Sequence, residues 1–249
     1  MDRIFRIEHD GGSRYAVEQN GAFRLIEGDI FEGFATDEIV HAPRLLAPVE
    51  PSKIVAVGLN YKDHAAEQHS PLPPEPLIFI KPSTAVIGPG AAIRIPPGAG
   101  RVDHEAEVGV VIRKRAFRVP KERAGEYILG LTCVNDVTAR ELQKKDGQFT
   151  RSKGFDTFAP IGPCIAPYTD GTFDVEGYVN GTRRQASNTR ELIFPIEDLI
   201  AFISAVMTLL PGDIISTGTP AGIGPLRAGD TVTVKVQGVG ELTNPVVQG

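Results

Sequence analysis

The sequence feature that most constrains the fold is the run HEAEVGVVI at residues 104–112. Residues 108–112 lack the polar alternation of a half-exposed strand, so this run predicts a β-strand buried on both faces. Glu105 and Glu107 enter the strand at a spacing that places both carboxylates on the same face. Buried carboxylates are costly to ionise unless a cation or a basic side chain meets them. The fold must therefore bring a counter-charge to this strand.

A third carboxylate, Asp136, closes a second apolar run, YILGLTCVND, where a strand is expected to give way to a helix. Three carboxylate oxygens suit Mg²⁺ or Mn²⁺, which take about six oxygen ligands and keep positions open for water or substrate. The histidines and cysteines show no tetrahedral ligand spacing, which argues against zinc. A solvated strand face or a salt bridge is the alternative explanation for the glutamates. The unbroken apolar run favours the metal site, and hence a metal enzyme.

Composition excludes several classes of protein. The chain has 249 residues and a net charge of -5 with no basic stripe, so a nucleic-acid partner is not expected. No segment has the features of a membrane span or a signal peptide, and Cys133 and Cys164 are interpreted as buried thiols, so we expect a cytoplasmic protein. Phosphate-binding loops, Rossmann fingerprints and GxSxG elbows are absent from the sequence, so neither nucleotide-driven nor serine-hydrolase chemistry is supported.

The chain divides into two predicted units. Residues 1–50 contain short strand-like runs, IFRIE, RYAVE and AFRLI, separated by Asp-Gly-Gly and Asn-Gly turn signals, which predicts a small N-terminal β-meander. A proline-containing linker then leads into residues 51–249. In this second unit strands outnumber helices and many are joined by tight turns, which predicts the α+β class with a mixed β-core. One amphipathic helix is expected from Ile196 to Leu210.

His64 and Glu67 are spaced as neighbours on a short helix that Asn60 is expected to cap. Such a pair suits proton transfer, because the carboxylate holds the tautomer of the imidazole while its other nitrogen moves a proton. An ordinary histidine and glutamate on a surface helix are the alternative, which the spacing alone favours. Proximity to the metal site would decide for catalysis.

Four further residues have chemistry that fits a substrate site. Arg140 and Gln143 would share a helix face with the metal end if the helix began at Asp136, and a guanidinium and an amide fit recognition of a carboxylated substrate. Solvation of the helix is a strong alternative. Lys153 would offset the repulsion among three carboxylates, and Thr219 lies in a glycine-rich turn that could bind a carboxylate. Most lysines and most such turns have no such role.

Six segments, GLNYKDHAAE, LIFIKPSTAVIGPG, DHEAEVGVVI, NDVTARELQ, SKGFDTFAPIGP and ISTGTPAGIG, together closely resemble the fumarylacetoacetate hydrolase family. The resemblance runs from Gly58 to Gly224. It implies a β-rich mixed-sheet roll, usually a homodimer, that binds Mg²⁺ or Mn²⁺. The roles it implies are metal ligation by Glu105, Glu107 and Asp136, catalysis by His64, Glu67 and Lys153, and substrate contact by Arg140, Gln143 and Thr219.

The resemblance also implies the chemistry. A small 2-oxo or 2-hydroxy-dienoate acid would chelate the metal, which would stabilise an enolate. The segment LPGDIISTGTPAGIGPLRAGDTV resembles the branch that isomerises 2-hydroxyhepta-2,4-diene-1,7-dioate in homoprotocatechuate catabolism, and this is the leading expectation. Three alternatives stay open: an acylpyruvate or fumarylpyruvate hydrolase, an oxaloacetate-type decarboxylase, and a structural metal-binding protein without activity.

Overall fold

The computed structural model describes residues 2–169 and 171–249. Over these residues the chain is built mainly from strands: β1 (Ile4–His9), β2 (Gly12–Gln19), β3 (Ala22–Asp29), β4 (Gly33–Val40), β5 (Lys53–Gly58), β6 (Leu77–Pro82), β7 (Val86–Ile87), β8 (Ile93–Ile95), β9 (Val102–His104), β10 (Ala106–Ile112), β11 (Ile128–Asn135), β12 (Thr138–Ala139), β13 (Ala159–Ala166), β14 (Asp174–Val179), β15 (Thr182–Asn188), β16 (Ile214–Ser216), β17 (Gly224–Leu226), β18 (Thr231–Val236) and β19 (Gly240–Gln248). The α-helices are α1 (Lys62–Glu67), α2 (Arg140–Asp146), α3 (Phe149–Lys153) and α4 (Ile196–Val206), and short 3₁₀ turns cover Ser83–Ala85, Lys121–Tyr127 and Thr189–Glu191. Among the described residues, no helix has both the length and the apolar character needed to cross a bilayer.

The strands form three sheets. The largest runs in the order β4-β3-β2-β1-β13-β11-β10-β16-β5-β6, with β7 added beside β13. A five-stranded sheet, β15-β14-β18-β19-β8, packs across its centre, and a small sheet has the order β12-β9-β17. Most neighbouring strands are antiparallel, whereas β16 with β5, β13 with β7 and β19 with β8 run parallel. The sheets are therefore mixed, which confirms the predicted β-rich α+β class.

The centre of the large sheet is buried on both faces, as predicted. Every residue of β10 and β11 is buried. Successive residues of β10 point into different clusters: Val110 packs with α4 and the five-stranded sheet, and Val111 packs with residues that follow the N-terminal meander. Burial of each such side chain contributes about 1.5–3 kcal/mol. These strands are a firm base for the acidic side chains at their ends.

The N-terminal meander is present, and β1 to β4 pair in sequence as antiparallel hairpins. The first turn uses Asp10 and Gly11 and the second Asn20 and Gly21, all with positive φ, as two-residue hairpin loops require. Because β1 also pairs with β13, the meander extends the large sheet. The division of the chain at residue 50 stays a prediction.

The amphipathic helix is shorter than predicted. Leu199, Ile200 and Ile203 of α4 are fully buried, which confirms the apolar stripe over its first turns. The helix ends at Val206, whose side chain is exposed, and Met207 is already extended. The helical spacing of apolar residues continues beyond Val206 because Met207 and Leu210, in the segment after the helix, are also apolar.

Three local predictions were wrong, and each concerns a residue near the acidic strands. Asn60 does not cap α1, because Tyr61 occupies the cap position and the Asn60 amide instead binds backbone groups of Phe194. Helix α2 begins at Arg140 rather than just after Asp136, since two residues of β12 intervene. The strand predicted over residues 104–112 is interrupted at residue 105, where the chain passes from the small sheet into the large one.

Candidate metal centre and active-site cleft

The three acidic residues predicted to bind metal lie together. Glu107 is on β10, Glu105 occupies the interruption between β9 and β10, and Asp136 directly follows β11. One carboxylate oxygen from each lies within 4.8 Å of the others, and all three residues are buried. The reason is the antiparallel pairing of Ala106 with Asn135, which brings the start of β10 beside the end of β11. Two strand ends thus place three acids at one point.

Backbone contacts fix the interrupted segment. The N–H of Glu105 donates to Asn135 Oδ1 at 3.0 Å, and the carbonyl of Glu105 accepts the N–H of Asp136 at 2.9 Å. These bonds hold in place a residue that belongs to neither strand. They also couple Glu105 directly to Asp136, although the two are distant in sequence.

Two buried lysines and an arginine meet the carboxylates of Glu105 and Asp136. Lys153 Nζ donates to Glu105 Oε2 at 2.8 Å and to Asp136 Oδ2 at 2.6 Å. Lys81 Nζ binds Asp136 Oδ1, and Arg140 binds Glu105 Oε1. Burial alone would raise the pKa of Glu105, but Lys153 and Arg140 lower it below its ordinary value. Burial likewise opposes the charge of Lys153, whose pKa is nevertheless raised by Asp136 and Glu105.

Glu107 has a different environment. Its Oε2 accepts hydrogen bonds from Ser216 Oγ at 2.5 Å and from the N–H of Gly218 at 2.9 Å. Within the described part of the chain, no cationic side chain forms an ion pair with it. Burial, together with the nearby charges of Asp136 and Glu105, raises its pKa to about 8. Glu107 therefore differs from Glu105 and Asp136, each of which is bound by cationic side chains.

A divalent cation fits this arrangement. The donor set consists only of carboxylate oxygens, which Mg²⁺ and Mn²⁺ prefer. An ionised carboxylate has about four lone-pair positions, so Glu105 and Asp136 can keep their hydrogen bonds and still offer an oxygen to a metal. Among the residues that the structure describes, no cationic side chain binds the third acid, Glu107, so a metal would supply the positive charge that its ionised form needs. We conclude that Glu105, Glu107 and Asp136 are suited to hold the metal, and Lys153 to limit the repulsion between them.

Two members of the acidic trio, Glu105 and Glu107, open into a cleft of about 600 Å³. Of the six other predicted site residues, five also line this cleft: His64, Arg140, Gln143, Lys153 and Thr219. Sequence spacing alone could not decide whether these residues were functional. Their convergence on one cleft favours the functional interpretation over surface solvation.

The sixth residue, Glu67, lies behind His64. Its Oε2 is 2.9 Å from His64 Nδ1, so that nitrogen donates and the tautomer is fixed with Nε2 available for proton transfer. Glu67 Oε1 accepts the N–H of Gly222 at 3.0 Å. The short helix α1 is anchored by Asp63, which accepts hydrogen bonds from its own helix at the N–H of His64 and from Ser187 of β15. This anchoring replaces the cap expected from Asn60.

The three predicted substrate contacts are already partly engaged with protein groups. Besides binding Glu105, Arg140 donates to Gln143 Oε1 at 3.0 Å. Thr219 donates its hydroxyl hydrogen to the carbonyl of Ala106 at 3.0 Å and accepts from Gln185 Nε2 at 2.8 Å. The Thr219 hydroxyl has thus used its donor, and any further contact it makes must be as an acceptor or through its backbone. The substrate roles of these residues stay predictions.

Sequence reasoning missed three residues that shape the site. Lys81 lies fully buried on β6, and its charge inside the apolar run LIFIK was a signal that could have identified it. Asp103 lies two residues before Glu105, and the sequence shows this spacing, which is that of side chains on one face of a strand. Gln185, on the hairpin strand β15, binds Thr219 and His104 and carried no sequence signal.

The site combines three buried acids that could hold a divalent metal with a histidine–glutamate pair and buried lysines. Residues 53–247 match the family described as fumarylacetoacetate (FAA) hydrolase, C-terminal. The chain belongs to this family.

Several solved structures share the whole architecture. A 5-carboxymethyl-2-hydroxymuconate delta-isomerase from Mycobacterium smegmatis is 44% identical with a TM-score of 0.92, covering 99% of this chain and 100% of its own. A 2-hydroxyhepta-2,4-diene-1,7-dioate isomerase from Mycobacterium marinum is 41% identical with a TM-score of 0.93, covering 100% and 99%. A maleylpyruvate hydrolase from Sphingobium sp. SYK-6, in complex with manganese(II) and pyruvate, is 31% identical with a TM-score of 0.83, covering 99% of each chain. Isomerases and a hydrolase therefore share this fold.

Proposed function

We propose that this protein is an Mg²⁺- or Mn²⁺-dependent isomerase of 2-hydroxyhepta-2,4-diene-1,7-dioate, or of a close relative, in aromatic catabolism. The observation that carries the proposal is that His64, which is bound to Glu67, lines the same cleft as Glu105 and Glu107 of the buried acidic trio. A structural metal site would have no need of this pair. The similarity to two isomerases at more than 40% identity supports the choice of reaction.

The chain's own residues would act as follows. Glu105, Glu107 and Asp136 would hold the metal, which when bound supplies Lewis-acid stabilisation of negative charge on the 2-oxygen of a chelating substrate. His64, through Nε2, would take the proton of the 2-hydroxyl and deliver a proton to carbon 5, which converts the dienol to the conjugated 2-oxo-3-ene. Glu67 would stabilise the imidazolium that exists between these transfers.

A second candidate is hydrolysis of a carbon–carbon bond, as in an acylpyruvate or fumarylpyruvate hydrolase. The similarity to a maleylpyruvate hydrolase favours keeping it. In this case His64 would remove a proton from water, the resulting hydroxide would add to the distal carbonyl, and the bond to the pyruvate unit would break. The same side chains serve both reactions, so the substrate must decide between them.

The test is a panel of 2-hydroxydienoic acids, acylpyruvates and oxaloacetate, followed by ultraviolet absorbance in Mg²⁺ or Mn²⁺. Loss of the dienol signal without pyruvate supports isomerisation. Release of pyruvate from an acylpyruvate without carbon dioxide supports hydrolysis, and release of carbon dioxide together with pyruvate from oxaloacetate supports decarboxylation. His64→Ala is the matched variant, because it leaves the acidic trio intact. Turnover that persists at full rate in this variant would remove His64 from the mechanism.

Oxalate, which mimics the enolate of pyruvate, separates an enzyme from a structural metal site. Metal-dependent binding of oxalate supports a site with open coordination positions, whereas metal binding without oxalate binding supports a structural role. The cytoplasmic location and the homodimer expected from the family stay predictions.

A further inference from the structure

Asp103 joins two arginines at the outer side of the metal centre. The carboxylate is almost fully buried, with 1% of its side chain exposed. It accepts hydrogen bonds from Arg101 Nε at 2.7 Å, Arg101 Nη2 at 3.1 Å and Arg140 Nε at 2.8 Å. We call Arg101 and Arg140 the arginine pair. A buried aspartate requires a cationic partner, and Arg140 alone would provide one.

Arg101 is therefore not needed to neutralise Asp103. Its side chain is 52% exposed, and it lines the cleft. Two of its N–H groups are directed to Asp103, so the remaining donors of the guanidinium fork are available to a ligand. The arginine pair also keeps surplus positive charge, because Glu105, the other partner of Arg140, is shared with Lys153 and with the proposed metal.

The contacts of Arg101 hold it in the cleft beside the acidic residues. Arg101 directly precedes β9, and its guanidinium binds Asp103 on that strand. Asp103 in turn binds Arg140, which also binds Glu105, so one aspartate and one arginine lie between Arg101 and the proposed metal ligand Glu105. The backbone N–H of Arg101 is held by Glu141 Oε1 at 3.3 Å. Arg101 is thus an anchored cationic group that Asp103 and Arg140 separate from the acidic trio.

We propose that Arg101 binds the distal carboxylate of the substrate and selects a long 2-oxo or 2-hydroxy diacid over the corresponding monoacid. This inference rests on the proposed function, because the other end of the same molecule is taken to chelate the metal. A ligand that contacts both the metal and Arg101 must extend past Asp103 and Arg140, which favours a long diacid over a four-carbon diacid such as oxaloacetate. Guanidinium groups suit this task because they bind carboxylates through two parallel hydrogen bonds.

The experiment compares the binding of 2-oxoheptanedioate and 2-oxoheptanoate, which differ only in the distal carboxylate, by isothermal titration with saturating Mg²⁺. The wild-type protein should bind the diacid at least about tenfold more tightly. Arg101→Gln should remove this preference by weakening the diacid while leaving the monoacid unchanged, and Arg101→Lys should restore part of it. Arg151→Gln is the control, because Arg151 is 49% exposed and paired with Asp146 but does not line the cleft.

Each outcome is decisive. Equal binding of the two acids by the wild-type protein would overturn the role of Arg101, as would an equal loss for both acids in Arg101→Gln, which indicates a structural effect. A preference that shrinks at high salt supports a charged contact at an accessible site. If neither acid nor oxalate binds in the presence of Mg²⁺, the proposed function itself fails, and this inference fails with it. If oxalate binds and the diacid preference is absent, only the inference fails.

Discussion

Replacing Glu107 by glutamine should stabilise the metal-free protein, although it removes a proposed metal ligand. Without metal, the Glu107 carboxyl has a pKa of about 8 because it is buried beside two other acids. It therefore keeps its proton at pH 7, where the same group in the unfolded chain is ionised. Retaining that proton costs about 1.4 kcal/mol of folding free energy for each pH unit between about 4.5 and 7, roughly 3 kcal/mol in all.

The sign follows from proton counting. Between the ordinary pKa of a glutamate and the raised value of Glu107, the native state binds more protons than the unfolded state, so this residue lowers stability as pH rises through that window. Glutamine has the same shape and does not ionise, and its carbonyl can accept the hydrogen bonds of Ser216 and Gly218. Its amide hydrogens need new acceptors, which costs about 1 kcal/mol. The expected net gain in the metal-free protein at pH 7 is about 1–2 kcal/mol.

The assay is urea unfolding in a chelator and then in excess Mn²⁺. Mn²⁺ should stabilise the wild-type protein and leave Glu107→Gln unchanged. Glu105→Gln is the contrasting variant, because it leaves Lys153 and Arg140 without their shared acceptor and should cost about 3–5 kcal/mol in the chelator. If both variants destabilise the metal-free protein alike, the electrostatic argument for Glu107 is refuted. If Glu107→Gln still gains stability from Mn²⁺, its role as a ligand is refuted.

Three further predictions follow from the same contacts. Lys153→Met should destabilise the metal-free protein by about 3–5 kcal/mol, measured by denaturant unfolding, because two buried acids lose a partner; a loss below about 1 kcal/mol would contradict this pairing. His64→Asn should lower turnover by about 10²–10⁴-fold in the absorbance assay while Mn²⁺ affinity measured by calorimetry stays the same, and a parallel loss of affinity would show that His64 supports the metal site. Metal uptake at pH 7 should release close to one proton, because the pKa of Glu107 is raised and a ligand must be ionised. Calorimetry in buffers of different ionisation enthalpy measures that release, and the affinity should rise with pH up to about 8.

The fold was predictable where the sequence pattern is local. Apolar runs and turn signals identified β10, β11 and the hairpins of the N-terminal meander, because strand period and turn chemistry are properties of neighbouring residues. The exact breaks were not predictable. The interruption at Glu105 depends on Asn135, and the position of Asn60 depends on Phe194, so both are set by residues far away in sequence.

The site was predictable to a similar extent. Spacing identified Glu105 and Glu107 as a pair, because alternate residues of a strand share a face. In the structure Glu105 lies at the break just before β10, and the two carboxylates still meet. The importance of Gln185 could not be inferred, because it acts through partners that are distant in sequence. The charge of Lys81 within an apolar run was a visible signal, but its partner Asp136 was not.

The spacing predicted that Arg140 would lie one helical turn after Asp136. In the structure Arg140 instead lies at the start of α2, and its side chain extends back to bind Asp103 on β9 and Glu105.

The charges around the metal centre also explain how such a site can fold before it binds metal. Three buried acids would repel one another strongly if each were ionised and unpaired. Lys153 and Lys81 pair with Asp136, and Lys153 and Arg140 pair with Glu105, so cationic side chains balance the charge of these two acids. Glu107 instead avoids the repulsion by keeping its proton. A structural zinc site commonly needs its ion in order to fold, whereas here a metal would replace one proton on a set of ligands that is already assembled.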